Sequence, residues 1–289
     1  MTDCFKKMHF EATKVCVFHT KGTHSVVFSG FHKGRNKVDF TQNASGEFFG
    51  RSLTESEHEE NLRSIFKSNF PVDTPQWNHH LQVYLKRHNI MRVLHYNDLY
   101  QKILDVPGDI LDFGVHFGAS SAVMLNLRGI YEPYNLSRKV WVFDTFEGLS
   151  GVSKDDPKAV EGGYAVPKSY EEILETILTA HEGFSPISHI KKFEIIKGDA
   201  RVTFDQWLKE NPGTLIGLLH LDMDLYEPTA EVLVKALPRL TKGSLVVFDE
   251  LTAKFFPGEA KALIDTVGAH NVRLRRTPFQ PYSAYYQVE

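Results

Sequence analysis

The sequence predicts an α/β fold: a doubly wound, mostly parallel sheet with helices on both faces, preceded by an N-terminal α+β extension. Three observations carry that reading. From residue 109 onward, short apolar runs alternate with helix-length amphipathic stretches, the pattern of parallel strands joined by crossover helices. The first run, Asp109-Ile-Leu-Asp-Phe, enters a turn punctuated by Gly114 and Gly118. Later runs end in or just before acids: Asp144, Asp199, Asp222-Met-Asp224 and Asp249-Glu250. In such a sheet the carboxyl ends of the strands share one edge, and that edge is where ligands bind.

In chain order, residues 1–75 form the extension and 76–289 the main domain. Within the extension, Lys14-Val-Cys-Val-Phe-His and Ser25-Val-Val-Phe-Ser are expected to pair as a hairpin across Lys21-Gly22-Thr23. Asn43-Ala-Ser-Gly46 marks a loop, and a helix is expected to open near Thr54, with Thr54 or Ser56 as its cap. Residues 78–105 fit helical faces with one break, through Leu81, Val83, Tyr84, Leu85, Ile90, Val93, Leu94, Leu99, Tyr100 and Ile103. Pro107-Gly108 ends that segment.

Strands are then expected at 110–114, 139–144, 193–197, 215–221 and 244–249. Helices are expected at 118–130, 168–181, 201–210, 227–239 and 258–267. In the last stretch Tyr282, Ala284 and Tyr286 alternate, which fits an antiparallel strand at or near the sheet edge. The polar, glycine-containing segment from Gly151 to Pro167 follows the second strand directly and is expected to form a mobile lid.

Composition narrows the class of function. The chain has 289 residues, of which 42% are hydrophobic and 24% charged, with 21 Phe and 11 Tyr to build a core. The net charge of −3 gives no basis for nucleic-acid binding. No apolar run is long enough to cross a bilayer. The N-terminus does not read as a secretory signal. Cys4 and Cys16 are too few for a disulfide framework, so free thiols in a cytoplasmic protein are expected. The 14 His are scattered and form no zinc-binding spacing.

The first turn is G-x-x-x-G rather than G-x-G-x-x-G. His116 stands where a dinucleotide cradle needs a glycine to let the backbone approach a pyrophosphate, so a smaller cofactor is expected. Asp112 is placed to accept from an ammonium group, Asp144 from both ribose hydroxyls, and Asp199, in Lys197-Gly-Asp-Ala200, from an adenine amine. In that order these groups describe S-adenosylmethionine. The competing reading is that the three acids merely cap turns.

In an extended strand His220, Asp222 and Asp224 point to one side. Carboxylates gathered with Asp249 and Glu250 repel one another unless a cation binds. Oxygen ligation suits Mg²⁺, Mn²⁺ or Ca²⁺ and argues against zinc. Such an ion would lower the pKa of a substrate hydroxyl. Asp224 and Glu227 equally suit the start of the helix at 227. His116 and His220 are read as packing or hydrogen-bonding residues before bases. Arg87 and His88 would reach an anionic acceptor or serve as ordinary helix surface charges. Tyr164, on the lid, would cover the cofactor or line the acceptor site.

Several stretches together resemble a known family. They are Pro107-Gly-Asp-Ile-Leu-Asp-Phe-Gly114, Leu127-Arg-Gly-Ile-Tyr-Glu-Pro-Tyr-Asn135, Phe143-Asp-Thr-Phe-Glu-Gly148 and Glu161-Gly-Gly-Tyr164. Ser188-His-Ile-Lys-Lys192, Asp222-Met-Asp-Leu-Tyr-Glu-Pro-Thr229, Phe248-Asp-Glu-Leu251 and Phe256-Pro-Gly-Glu259 complete the set. Residues from about 80 to 289 resemble the metal-dependent class I O-methyltransferases typified by the macrocin and mycinamicin enzymes. They are closer still to the branch described as deoxy-hexose-nucleotide 3-O-methyltransferases.

The resemblance implies a Rossmann-like domain that binds S-adenosylmethionine at Asp112, Gly114 and Gly118, at Asp144 and near Asp199. The neighbours Val115, His116, Ser120, Thr145, Phe146 and Ala200 complete the expected cofactor contacts. It implies Mg²⁺ (or Mn²⁺) held by Asp222, Asp249 and Glu250, with Asp222 also the general base. The expected reaction is O-methylation of a deoxy-sugar, nucleotide-linked or natural-product-linked, in natural product biosynthesis. The expected partner is a sugar-containing small molecule, with neither nucleic acid nor membrane, in a homo-oligomer whose N-terminal extension shapes the acceptor pocket or the oligomer interface. An N-methyltransferase acting on a peptide or amino-sugar, a nicotinamide-dependent oxidoreductase and a non-catalytic binding module are the rival readings. In the first motif the chain departs from the macrolide enzymes, with Asp112 where glutamate is common and His116-Phe117 where Trp-Arg is common.

Overall fold

The computed structural model describes the backbone of residues 26–28, 39–42, 48–51 and 53–289, with side chains from residue 57. The chain divides into two compact units, one ending at Tyr84 and the other running from Leu85 to Glu289.

In the first unit, β1 (Val26–Phe28), β2 (Asp39–Gln42) and β3 (Phe48–Arg51) form an antiparallel sheet in the order β1-β2-β3. Val26–Phe28 is a strand as expected, but it pairs with Asp39–Gln42, in the register Val26 to Gln42. Its expected partner, 14–19, and the loop at 43–46 lie outside the described residues. Helix α1 (Leu53–Asn69) begins at Leu53, so Thr54 and Ser56 fall in its first turn rather than at its cap. At its far end Phe66 and Phe70 stack at 4.6 Å, and both rings meet Tyr84 edge-on. Trp77 packs edge-on against Phe70, which folds a 3-10 helix, Trp77–Tyr84, back on α1.

The second unit opens with α2 (Arg87–Gln101), whose buried stripe is His95, Tyr96, Leu99 and Tyr100. Next come β4 (Asp109–Phe113), α3 (Ala119–Tyr131), β5 (Val140–Asp144), α4 (Tyr170–Gly183), β6 (Phe193–Lys197) and α5 (Ala200–Glu210). Then follow β7 (Ile216–Leu221), α6 (Tyr226–Ala236), β8 (Leu240–Phe248), α7 (Gly258–Thr266) and β9 (Ala284–Gln287). The sheet order is β6-β5-β4-β7-β8-β9, parallel throughout except for β9, which lies antiparallel on the edge. This is the doubly wound architecture expected. Successive connections run outward in one direction from β4 and in the other from β7, so the switch point lies between these two central strands.

Alternation assigns the two cores. Ile110, Val140, Val142, Leu218, Leu245 and Val247 pack with residues of α2, α3 and α4 on one face. Leu111, Trp141, Phe143, Leu219, Val246 and Phe248 pack with residues of α5, α6 and α7 on the other. Both faces of the central strands are therefore apolar, as burial on both sides requires.

Two boundaries differ from expectation for physical reasons. Strand β8 begins at Leu240, because polar Thr241-Lys-Gly243 is carried through an irregularity: Ile216 pairs with Leu240, but Leu218 pairs with Leu245. The Ser244 hydroxyl donates to the Ile216 carbonyl there. Helix α6 ends at Ala236 and Leu237–Arg239 tightens into a 3-10 turn. Pro238 has no N–H to continue the α ladder.

Candidate active site

The site grows from the crossing of β4 and β7. Asp222 N–H donates to the Phe113 carbonyl, and Gly114 N–H donates to the Phe143 carbonyl, both at 2.9 Å. Gly114 has φ +81°, and a Cβ there would lie 1.8 Å from the Asp222 carbonyl oxygen, so only glycine fits. His116, Phe146, Tyr164 and Asp224 hold left-handed φ between 53° and 63° without being glycine. Such backbone strain clusters at functional sites. Three of the four line one cavity of about 420 Å³ at the carboxyl edge of the sheet.

Eleven sequence-predicted residues come together on that cavity. Gly114, Val115, His116, Ser120, Asp144, Thr145, Asp199 and Ala200 lie along the ends of β4, β5 and β6, and Asp222, Asp249 and Glu250 along those of β7 and β8. The Asp144 carboxylate accepts from the N–H groups of His116, at 2.8 Å, and Phe146, at 2.6 Å, which folds both loops around it. Burial raises its pKa and these two bonds oppose the rise. The Asp199 carboxylate is held by a forked contact from Arg201, at 2.5 Å at its shortest, which lowers its pKa.

Three predicted residues are not on the wall. Asp112 has no exposed surface and its carboxylate is spent on His220 Nδ1 at 2.7 Å and on the hydroxyls of Ser120 and Ser121. By strand alternation its side chain turns to the same face as Ile110, beneath α3. Gly118 starts α3 with φ +81°, and a Cβ there would strike Leu174, so it is a packing glycine. Phe146 is buried in the α2–α4 core.

The acids at the ends of β7 and β8 form a charged nest. Burial, then the charge of Asp249, pushes the Asp222 carboxyl well above its ordinary range. The same causes bring Asp224 to about 7 and Glu250 to about 8. Glu259, with no exposed surface, is raised by burial and then by Asp224. The cation facing this nest is Arg92, 3.7 Å from Asp222 Oδ2 and 3.8 Å from Asp249 Oδ2. Its guanidinium also donates to the Tyr96 hydroxyl at 2.8 Å. Arg92 was not foreseen from the sequence. The available signal was a charge sitting four residues before Tyr96 on the buried stripe of α2.

Among the described residues two compact ligand groups result, each with its atoms within 4.8 Å of one another: His220, Asp222 and Asp249, and Asp222, Asp224 and Glu259. Asp249 Oδ1, Glu259 Oε1 and His220 Nε2 are buried and make no hydrogen bond. Orphaned buried lone pairs among clustered acids fit a divalent cation. Glu250 lines the cavity but belongs to neither group, and its N–H donates to Glu259 Oε2 at 3.0 Å.

Of the segment 151–167, Tyr164 lines the cavity. The segment is tied at several points. Glu161 accepts from the N–H groups of Gly151 and Val152, Leu149 N–H donates to the Gly163 carbonyl and Gly162 N–H to the Leu149 carbonyl across its neck, and buried Asp156 accepts from Tyr226 N–H at the start of α6.

A family profile described as Macrocin-O-methyltransferase (TylF) matches residues 73–273. Among solved structures, CalS11, a calicheamicin methyltransferase, is 40% identical with a TM-score of 0.79, over 83% of this chain and 95% of its own. An apo structure of CalS11, described as a TDP-rhamnose 3'-O-methyltransferase, is 37% identical with a TM-score of 0.73, over 83% and 96%. Mycinamicin III 3''-O-methyltransferase of Micromonospora griseorubida is 28% identical over 151 residues, 50% of this chain and 56% of that protein. A tetracenomycin-type rhamnosyl 4'-O-methyltransferase of Streptomyces olivaceus is 30% identical over 156 residues, 50% and 53%. The match thus spans about half the length of these two curated relatives. Among the described residues no helix is long and apolar enough to cross a membrane. The class I methyltransferase sheet, the glycine turn and the paired acid clusters agree with the profile: the chain belongs to the macrocin-O-methyltransferase family.

Proposed function

We propose that this protein is an S-adenosylmethionine-dependent, divalent-metal-assisted O-methyltransferase acting on a hydroxyl of a deoxy-sugar, carried on a nucleotide or on a natural product. The observation that carries the proposal is one cavity with two chemically different walls. Its β4–β6 side presents the turn at Val115 and His116 with Asp144 and Asp199, and its β7–β8 side presents Asp222, Asp224, Asp249 and Glu250. The sugar acceptor is argued from two of the relatives named above, whose names give rhamnose or a rhamnosyl group as the methylated unit.

On this reading Asp144 accepts from the ribose and Asp199 faces the adenine end. A sulfonium cofactor supplies an electrophilic methyl group, and a divalent ion bound by Asp222 and Asp249, with Glu250 near by, supplies a Lewis acid. The remaining work belongs to the chain. The walls hold the acceptor oxygen in line with the sulfur–methyl bond, so that one carbon–oxygen bond forms as the carbon–sulfur bond breaks. Asp222, facing the cavity, takes the hydroxyl proton. The segment around Tyr164 keeps water from the reacting atoms.

The test is turnover with a panel of TDP-deoxy-sugars, following S-adenosylhomocysteine release with and without EDTA and locating the new methyl by NMR. Product from at least one sugar, abolished by EDTA and restored by Mg²⁺ or Mn²⁺, is expected. Turnover indifferent to EDTA, or seen only with amine acceptors, would overturn the reading.

A further inference from the structure

The acids at this site are not its whole ligand set. His220 lies on β7, one residue before the strand ends, and its Cα is registered directly against that of Asp112 on β4. Both side chains are wholly buried. Asp112 accepts from the Ser120 and Ser121 hydroxyls at 2.7 and 2.6 Å, an arrangement that satisfies a carboxylate. Its other oxygen, 2.7 Å from His220 Nδ1, therefore accepts from an Nδ1–H. That bond fixes the tautomer and leaves Nε2 with its lone pair outward. Nε2 has no hydrogen-bond partner in the protein. The His220 ring offers a nitrogen within 4.8 Å of carboxylate oxygens of Asp222 and Asp249, which lie within the same distance of each other, and Nδ1 is already committed to Asp112.

A buried lone pair with no donor is costly, and carboxylates close by add repulsion. The arrangement becomes favourable when a cation sits among the three. A base role for His220 does not fit, because the ring is absent from the cavity wall and cannot reach an acceptor oxygen. A carboxylate that orients the far nitrogen of a histidine is also the usual support of a metal-ligating imidazole.

We propose that His220 Nε2 is a metal ligand, completing with Asp222 and Asp249 a one-nitrogen, two-carboxylate site oriented by Asp112. This rests on the metal-assisted reading above and deepens it. An imidazole favours Mn²⁺, Fe²⁺ or Co²⁺ over Mg²⁺, so the site discriminates among divalent ions in a way a purely oxygen site does not. The Mn²⁺ form is expected to bind at least about tenfold tighter than the Mg²⁺ form.

The probe is Mn²⁺ itself, added to the full-length protein in the presence of S-adenosylhomocysteine and read by electron spin-echo envelope modulation. Wild type is expected to show nitrogen modulation that changes on selective ¹⁵N-histidine labelling. His220→Gln is expected to bind Mn²⁺ more weakly by about tenfold or more, without that modulation, and to keep S-adenosylhomocysteine affinity. If His220→Gln does not fold, His95→Gln and His116→Gln in the labelled protein assign the nitrogen: modulation retained in both supports His220. Loss of the modulation in either overturns the proposal. Mn²⁺ bound with no histidine nitrogen coupling overturns the assignment of His220 while leaving the acidic metal site standing. No Mn²⁺ binding by wild type overturns the metal-assisted reading itself, and this proposal with it.

Discussion

Asp112 and His220 are cross-strand neighbours at the switch point of the sheet, joined at 2.7 Å with neither side chain exposed. Burial opposes the charge of Asp112, but the bonds from His220, Ser121 and Ser120 win and lower its pKa. A depressed folded pKa contributes stability that is present above the unfolded value, near 4, and is lost as pH falls through the folded value. Asp112→Asn removes this charge and leaves one oxygen's partners facing an amide. At pH 7 it is expected to destabilise the fold by about 1–3 kcal/mol, and the gap from wild type should close in acid. Urea unfolding at pH 7 and well below pH 4 checks both. Equal stability at pH 7 would contradict the role given to the pair.

Raised acids make the opposite prediction at the other wall. Asp224, near 7, and Glu250, near 8, are favoured protonated in the folded state by burial and mutual repulsion. An acid whose folded pKa exceeds its unfolded value destabilises progressively as pH rises from about 4 to the folded value. Chelated protein should therefore lose thermal stability between pH 5.5 and 8.5. Mn²⁺ should restore more at pH 8.5, where the ligands are deprotonated, than at pH 5.5. Thermal melts with and without EDTA at the two pH values measure this. An equal shift, or none, at both would contradict it.

The glycines of the sheet edge and of the helix surface predict effects of opposite sign. Gly114→Ala sets a Cβ against the Asp222 carbonyl in a left-handed residue. It should cost more than about 2 kcal/mol and abolish S-adenosylhomocysteine binding. Gly183→Ala, at the end of α4 with nothing within 4 Å, should stabilise by about 0.5–1 kcal/mol. Chemical denaturation of both variants, with titration of the ligand, compares them. A tolerated Gly114→Ala would mean that the β4 and β7 ends can part.

Sequence pattern reached the alternating strands and helices because the apolar runs of the central strands are buried on both faces and each helix repeats on one side. It reached the acids because each closes or soon follows a strand-length run. What it could not supply is how deep each acid sits. Asp112 registers with Val142, two residues short of Asp144, so Asp112 is wholly buried while Asp144, on the same face but at the strand end, reaches the cavity. Arg92 and Glu259 were hidden differently. Each is brought to the acids by packing between elements distant in sequence, which no local period records. Glu250 follows Asp249 in the chain but diverges from it in space, since adjacent residues leave a strand end in different directions.

Away from the site, Lys192 is wholly buried beside Glu182, and its ammonium also donates to the carbonyls of Ile190 and Ile187 at 2.8 and 3.0 Å. Lys192→Met leaves a buried carboxylate without its partner and should cost about 3–5 kcal/mol. Adding Glu182→Leu removes the orphaned charge and should recover much of the loss. A double-mutant cycle by urea unfolding tests this, and additive losses would show that the ion pair is not the cause.

Arg92 predicts two effects of opposite sign from one substitution. Burial works against its charge, but Tyr96, Asp249 and Asp222 hold it, and the balance raises its pKa. Its guanidinium thus offsets part of the carboxylate repulsion when no divalent ion is present. The same positive charge, less than 4 Å from Asp222 and Asp249, opposes a metal ion entering beside it. Arg92→Met keeps the stem and deletes the charge. The chelated protein should lose stability, because the acids are left without their counter-charge. Mn²⁺ affinity should rise, by about tenfold, because the incoming ion no longer meets a cation. The melting-temperature gain on adding Mn²⁺ should therefore be larger in the variant than in wild type, since ligand stabilisation grows with affinity. Titration of free Mn²⁺ by EPR gives the affinity, and melts in EDTA give the chelated stability. Lower Mn²⁺ affinity in Arg92→Met would show instead that the guanidinium supports the metal-loaded geometry, and would move Arg92 from counter-charge to positioning residue.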